Sequence, residues 1–373
     1  MIHVELVREI NPENPLWSSW RELACGIPMR QPEWLLSWWD FYRQNDAELY
    51  LLTARDENRL LGLLPFYRLK SQRQLRLLGD GEVCTDYNGA MCVQDGDTST
   101  VIDSLATWLL SHCNDGEVGW ESIYMEGIPV SDAVTRSLYN LIAQRGGQPL
   151  ERNPMNTWCI DLTDGWDGYL AQSSKDTRKR LRRRLESMAE VQVHRVTSEA
   201  EWVRYYTILV DLHQKRRISL GEPGCFADSR FKSFLELASL RLLPLGQLQA
   251  FFLEKDGIPI SADIGFRSKS HWYCYQGGIE PSAMEIEPGK MANVWMIAQA
   301  QSQGINALDF LRGDEPYKQQ LKAAPHGMSD LWVASPGLKG LSKKWLWQTQ
   351  TILTNVARGA YQSFNESLAP QRG

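Results

Sequence analysis

The sequence predicts an α/β protein made of two tandem halves, each a mixed twisted sheet flanked by helices. Three observations carry that expectation. The 373 residues exceed one ordinary domain, for which about 100–200 residues is usual. Residues 49–68 and 248–267 repeat one another as strand, charged turn, second strand and basic exit, the mark of an internal duplication. Residues 248–318 run as hairpin, third strand, helix and crossing strand, which is how a meander joins a helix-covered sheet. The best boundary is Asp164-Gly165, giving a first half over 1–164, a second half over 165–335 that carries the main site, and a helical tail over 336–373.

In the first half, a short strand from Val4 leads into Pro-rich turns, and 32–42 reads as a helix. Its face of Trp34, Leu35, Trp38, Phe41 and Tyr42 fits core, with sugar stacking as the alternative. A hairpin follows, 48–54 with 60–67 around Asp56-Glu57-Asn58, and then a strand at 75–78. Residues 79–91 form a loop holding Asp86-Tyr87. Helices at 98–113 and 130–143 enclose a strand at 122–125, and 157–162 closes the half. The second half begins with Ser173-Ser174 capping a helix over 175–185. Leu181, Leu185 and Met188 make its buried stripe, and seven of residues 175–184 are basic. Strand 191–196, helix 199–217, a Gly-rich loop at 221–226 and helix 231–240 come next. The hairpin of 248–253 and 258–266 turns at Asp256-Gly257, a strong turn signal. Strand 271–276 continues the meander. Helix 290–303 stripes Met291, Val294, Trp295, Ala298 and Ser302 and stops at Gly304, before strand 306–311. A helix over 341–368 either covers one half or lies on a membrane surface.

Composition bounds the function. With 43% hydrophobic and 23% charged residues the chain is an ordinary globular one, and a net charge of −5 argues against a protein dedicated to nucleic acid. Seven cysteines with no Cys-x-x-Cys fit a reducing compartment. Charges in the first eight residues and the lack of an apolar run of about 18 make a cytoplasmic protein the expectation. Six scattered histidines lack metal-ligand spacing, so no catalytic metal is expected.

Two patterns point to chemistry. The helix entered at Gly289-Lys290 has unpaired first-turn amides, which attract a pyrophosphate. This makes Gly289, Lys290, Met291, Ala292 and Asn293 a candidate cofactor-binding set. Downstream stands Asp309-Phe310-Leu311-Arg312-Gly313-Asp314-Glu315-Pro316-Tyr317-Lys318. This segment resembles the Asp-Phe-x-x-Gly-x-x-x-Tyr-Lys of the cellulose-biosynthesis-type (CelD/BcsL) acetyltransferases, within the GCN5-related N-acetyltransferase (GNAT) superfamily. The resemblance is good over about 166–333 and looser before it. It departs at the phosphate loop, where Glu287-Pro288-Gly289-Lys290 replaces Arg/Gln-x-x-Gly-x-Gly/Ala. At the basic helix the chain also resembles Fem-type aminoacyltransferases.

The resemblance implies acetyl-CoA as co-substrate and an amine of a sugar or polysaccharide precursor as acceptor, in exopolysaccharide or cellulose-type biosynthesis. Asp263 is the candidate base, because alternation takes it off the core face of its strand. His213 is the alternative base. Tyr317 can protonate a leaving thiolate, and Lys318 can meet negative charge. Arg312 and Asp314 flank Gly313 at a strand end. Asp86, Tyr87, Tyr273, Tyr275, Gln276 and Asp309 are the candidate acceptor contacts. No Cys-His dyad is read from the spacing. Two alternatives stay open: aminoacyl transfer from tRNA, and a non-catalytic partner of a polysaccharide synthase. The basic helix and the C-terminal helix are candidate contacts for a membrane or a synthase.

Overall fold

The computed structural model describes residues 1–349. Most of the tail helix expected over 341–368 therefore lies outside the described residues; its first part is a helix from Leu338 onward. The first half runs β1 (His3–Val7), α1 (Pro15–Leu23), α2 (Pro32–Tyr42), β2 (Ala47–Asp56), β3 (Arg59–Leu69), β4 (Gln74–Leu77), β5 (Met91–Cys92), α3 (Thr98–His112), β6 (Ser122–Pro129), α4 (Ala133–Gln144) and β7 (Gln148–Asp161). Helices α5 (Gly165–Ala171) and α6 (Lys175–Glu186) follow. The second half is β8 (Gln192–Arg195), α7 (Glu199–Ser219), α8 (Ser229–Leu242), β9 (Leu248–Lys255), β10 (Ile258–Arg267), β11 (His271–Ile279), α9 (Pro288–Ala300), β12 (Ala307–Arg312), α10 (Pro316–Gln320) and β13 (Ala324–Ala334).

The strands make one 13-stranded sheet in the order β1-β2-β3-β4-β6-β13-β7-β12-β11-β10-β9-β8, with β5 beside β3. Each half contributes an antiparallel meander, β1–β4 or β8–β11, followed by a parallel partner, β6 or β12. Their last strands are exchanged. Strand β7, from the first half, pairs with β12 of the second, whereas β13 pairs with β6 of the first, and β7 and β13 pair with each other.

Local chemistry explains most elements. The β9–β10 turn places Asp256 and Gly257 at φ 51° and 78°, the double left-handed geometry that Asp-Gly allows cheaply. Ser198 and Glu201 close a capping box on α7. The expected Pro-rich turns after β1 are instead partly a helix, α1. Pro15 sits in its first turn, where proline costs no hydrogen bond, and the Asn14 side chain caps it by accepting from the Leu16 amide. Strand β13 was absent from the sequence-based expectation altogether.

The core also joins the halves. Trp34 of α2 packs edge-on against Phe234, Phe266 and Tyr275, at ring distances of 4.9–5.0 Å. One hydrophobic cluster thus contains α2, α7, α8 and one face of β10. The opposite face of the second half packs on α9. Among the described residues no helix is long and apolar enough to cross a membrane.

Candidate active site

Strands β11 and β12 run parallel only briefly. His271, Trp272 and Tyr273 pair with Ala307, Leu308 and Asp309, and there the ladder ends. Beyond it β11 continues to Ile279 and β12 to Arg312, leaving a gap. A bulge accompanies the parting: Gly265 pairs with Cys274 and Ile264 with Gln276, so Tyr275 has no opposite residue on β10.

Asp263 lies on β10 beside this gap. Its neighbours Ala262 and Ile264 belong to the shared core, so strand alternation turns its carboxyl to the α9 side. Its Oδ2 is buried and has no hydrogen-bond partner. Desolvation pushes the carboxyl up to about 7, and Ser261 on the same face pulls weakly the other way. Across from it is Gly277, which is exposed; a Cβ there would come within 2.9 Å of Asp263 Oδ1. Tyr317 of α10 stands edge-on to Phe310 at 5.7 Å. Its phenol is held protonated by desolvation first, then by the nearby Cys274, Glu315 and Asp263. The Asp263 charge thus bears on both the Cys274 thiol and the Tyr317 phenol around the gap.

On the other face, Tyr87 reaches across from the first half and donates to Asp309 Oδ2, with Thr157 Oγ1 3.0 Å from the same hydroxyl. Asp309 Oδ1 accepts from the Leu311 amide at 2.7 Å. Burial raises the Asp309 carboxyl to about 7, against the pull of these two donors. The Tyr87 ring packs on Tyr273 at 5.6 Å. Beside them is a cavity of about 370 Å³, whose walls include Tyr87, Thr157, Val130, Ser131, His326 and Met328.

Several other expected site residues are already committed. Arg312 donates through its amide and Nε to Asp86 and through Nη1 to Glu126. The Lys318 ammonium is buried and bound by the carbonyls of Leu311, Arg312 and Gly313 at 3.3, 2.9 and 2.9 Å, with Glu315 at 2.8 Å. It ties down the irregular turn after β12, where Leu311 has φ 56° and Gly313 φ 110°. Asp314 accepts from Trp158 Nε1 at 2.9 Å. Tyr275 donates to the Val83 carbonyl at 2.7 Å and is packed in the core, so its polar tip is spent.

His213 is buried on α7, its backbone against Gly278 of β11. Desolvation lowers its pKa, while Gln214 and Gln276 raise it. Contrary to the reading of no Cys-His pair, Cys225 Sγ lies 3.5 Å from His213 Nε2, because the loop after α7 folds back. Burial pushes that thiol up to about 12, so the pair is a thiol and an imidazole, without a thiolate near neutral pH.

At α9, Met291 and Ala292 face the core, while Gly289 leaves its surroundings open, the nearest contact for a Cβ being Ile279 at 3.6 Å. Asn293 is half-buried and Lys290 exposed. Glu287 precedes the helix with φ 52°, and its carboxylate binds Lys290 and Arg184 of α6. Of the first-turn amides expected to be unpaired, those of Lys290 and Met291 instead donate to the Glu287 carbonyl, at 2.9 and 3.1 Å.

Residues 172–319 match the family model described as an acetyltransferase (GNAT) domain. The second half thus carries a GNAT-type acyltransferase domain. No curated protein matches the sequence. Among solved structures, FemX is similar with a TM-score of 0.57 and 12% identity, over 81% of this chain and 90% of that one. A conserved protein of unknown function from Bacteroides thetaiotaomicron gives 0.54 and 10%, over 89% and 100%. The C-terminal domain of a putative lysylphosphatidylglycerol synthetase from Agrobacterium fabrum gives 0.51 and 10%, over 88% and 93%. At these identities the likeness is one of fold.

Sequence reasoning passed over Cys274, Gly277, Glu126 and Thr157. Only Gly277 carried a signal: two consecutive glycines inside a strand mark a close approach. Gly278 indeed meets the His213 backbone, where a Cβ would lie 2.2 Å from its nitrogen.

Proposed function

We propose that the protein transfers an acyl group, acetyl in the simplest case, from acyl-CoA to an amine of a sugar or polysaccharide precursor. The observation that carries this reading is the parting of β11 and β12 beside a carboxyl whose buried Oδ2 has no partner and which is raised to about 7. A thioester arm extended in the gap would present its carbonyl between Asp263 and Tyr317. The amine nitrogen attacks that carbonyl, and its proton passes to the Asp263 carboxylate directly or through one water. As the tetrahedral intermediate collapses, Tyr317 gives its proton to the leaving thiolate. The attack is direct: the Cys225 and Cys274 thiols are both pushed up by burial, which leaves neither a good nucleophile.

In this reading Lys318 and Arg312 position the end of β12, and Tyr87 with Asp309 holds the acceptor side. The 370 Å³ cavity offers hydroxyls from Tyr87, Thr157 and Ser131 beside apolar walls, a lining suited to a polar ring. The polysaccharide context rests on the resemblance of residues 309–318. His213 serves better as a packed support for β11 than as the base, since burial disfavours its charged form.

The test is release of free thiol from acetyl-CoA with a panel of amino sugars. We expect kcat/KM to rise with pH through an apparent pKa of about 7. Full activity of Asp263→Asn, or no turnover with any amino sugar, would remove this assignment. Aminoacyl transfer from tRNA is the second reading, favoured by the basic surface of α6; it predicts a steep loss of binding with salt.

A further inference from the structure

Helix α6 carries cations that no carboxylate among the described residues meets within ion-pair distance. Lys175, Arg178, Lys179, Arg180, Arg182 and Arg183 make no ion pair and no side-chain hydrogen bond among the described residues. Like charges spaced three or four apart on a helix repel, so the cluster works against α6. The Ser174 cap and the buried Leu181 offset that cost. The chain as a whole has a net charge of −5, so this concentration is local.

Its position selects a ligand. Helix α6 lies against α9, and Arg184 reaches the Glu287 carboxylate that Lys290 grips from the other helix. Arg180 is near enough to help hold that carboxyl below the usual range, after Lys290 and Arg184. An anion is thus already clamped between cations of two helices, just beyond the end of β11, at the mouth of the gap. A lipid surface or an RNA could use the outer cations, but neither accounts for an anion seat placed at the gap itself.

We propose that Arg180, Arg184 and Lys290 form the seat for the phosphate groups of the acyl donor, and that the Glu287 carboxylate holds that seat until a donor displaces it. The outer cations of α6 then extend the same field toward the remaining phosphates. Glu287 acts as a built-in competitor, so the protein binds its donor less tightly than its cations alone would allow. This inference rests on the acyl-CoA reading above.

The experiment is calorimetric titration at low salt of the full chain, as wild type, Glu287→Gln and Arg180→Ala/Arg184→Ala. The probes are coenzyme A, phosphate-free pantetheine and a single-stranded RNA oligonucleotide. Glu287→Gln should bind coenzyme A roughly threefold more tightly and the double variant about tenfold more weakly, with pantetheine unchanged in all three. Equal affinity for coenzyme A across the variants would overturn the seat while leaving the donor reading intact. A parallel loss of pantetheine would overturn it too, by exposing general damage to the gap. RNA binding tighter than that of coenzyme A and lost in the double variant would reassign α6 to nucleic acid. Wild type that binds neither coenzyme A nor pantetheine would remove the donor reading together with this one.

Discussion

The two halves open their sheets at the same place and use the opening differently. In the first, β4 and β6 pair through Gln74–Ser122, Leu75–Ile123 and Arg76–Tyr124 and then part, just as β11 and β12 do. That gap is filled: Arg312 reaches in from the second half to Asp86 and Glu126, and Asp80 takes Arg76 and Tyr67. The cavity left over is about 10 Å³, room for one water at most. In the second gap the comparable polar group, Asp263, has an orphaned oxygen, and Gly277 keeps the approach open. Each carboxylate in the first gap has a guanidinium partner and the gap is a lock; the second holds an acid with no such partner, the one proposed above to act on a substrate.

That contrast can be broken from the open side first. Asp263→Asn should lower kcat/KM by roughly 10²–10⁴, the usual worth of a general base, in steady-state assays. Its stability effect has the opposite sign. The folded value of about 7 lies above the ordinary 3.8, so folding favours the protonated acid. The stability this confers is full below about pH 4 and lost as pH rises through 7. Asparagine carries no such loss, and urea unfolding above pH 7 should show a gain of roughly 2–4 kcal/mol.

Breaking the closed side calls for Arg312→Ala, which strands Asp86 in a dry site and should cost about 3–5 kcal/mol. Adding Asp86→Ala should recover part of that loss, a non-additivity measurable by a double-mutant cycle. Tyr317→Phe should lower kcat about tenfold with KM and stability little changed. Gly277→Ala is the mildest change: it crowds Asp263 and should reduce kcat a few-fold, with the unfolding free energy changed by less than about 0.5 kcal/mol.

How far the sequence foretold this depends on the range of the forces involved. The hairpins were legible because Asp256-Gly257 and the strand alternation around it act within a few residues. The basic helix α6 with its serine cap was legible for the same reason. Helix α1 was not, because Pro15 marks a helix start as readily as a turn. Strand β13 escaped because what makes residues 324–334 a strand is pairing with β6 and β7, both far back in the chain. In the site, Asp86, Tyr87, Asp309 and Arg312 were each visible as chemistry-bearing residues. Their pairing across more than 200 positions was invisible, and it is the pairing that distinguishes a bolt from a catalytic group. The approach of Cys225 to His213 likewise depends on a loop conformation that composition alone does not dictate.

The exchange of β7 and β13 has a consequence for how the protein comes into being. As the chain leaves the ribosome, β6 must wait with one edge bare until nearly the whole second half has been made, since its partner is the last strand of the sheet. An exposed edge is a template for association with other chains. Dividing the gene after residue 164 would therefore yield two products that each lack a strand and carry the other's, and such fragments should recover a native sheet only when expressed together.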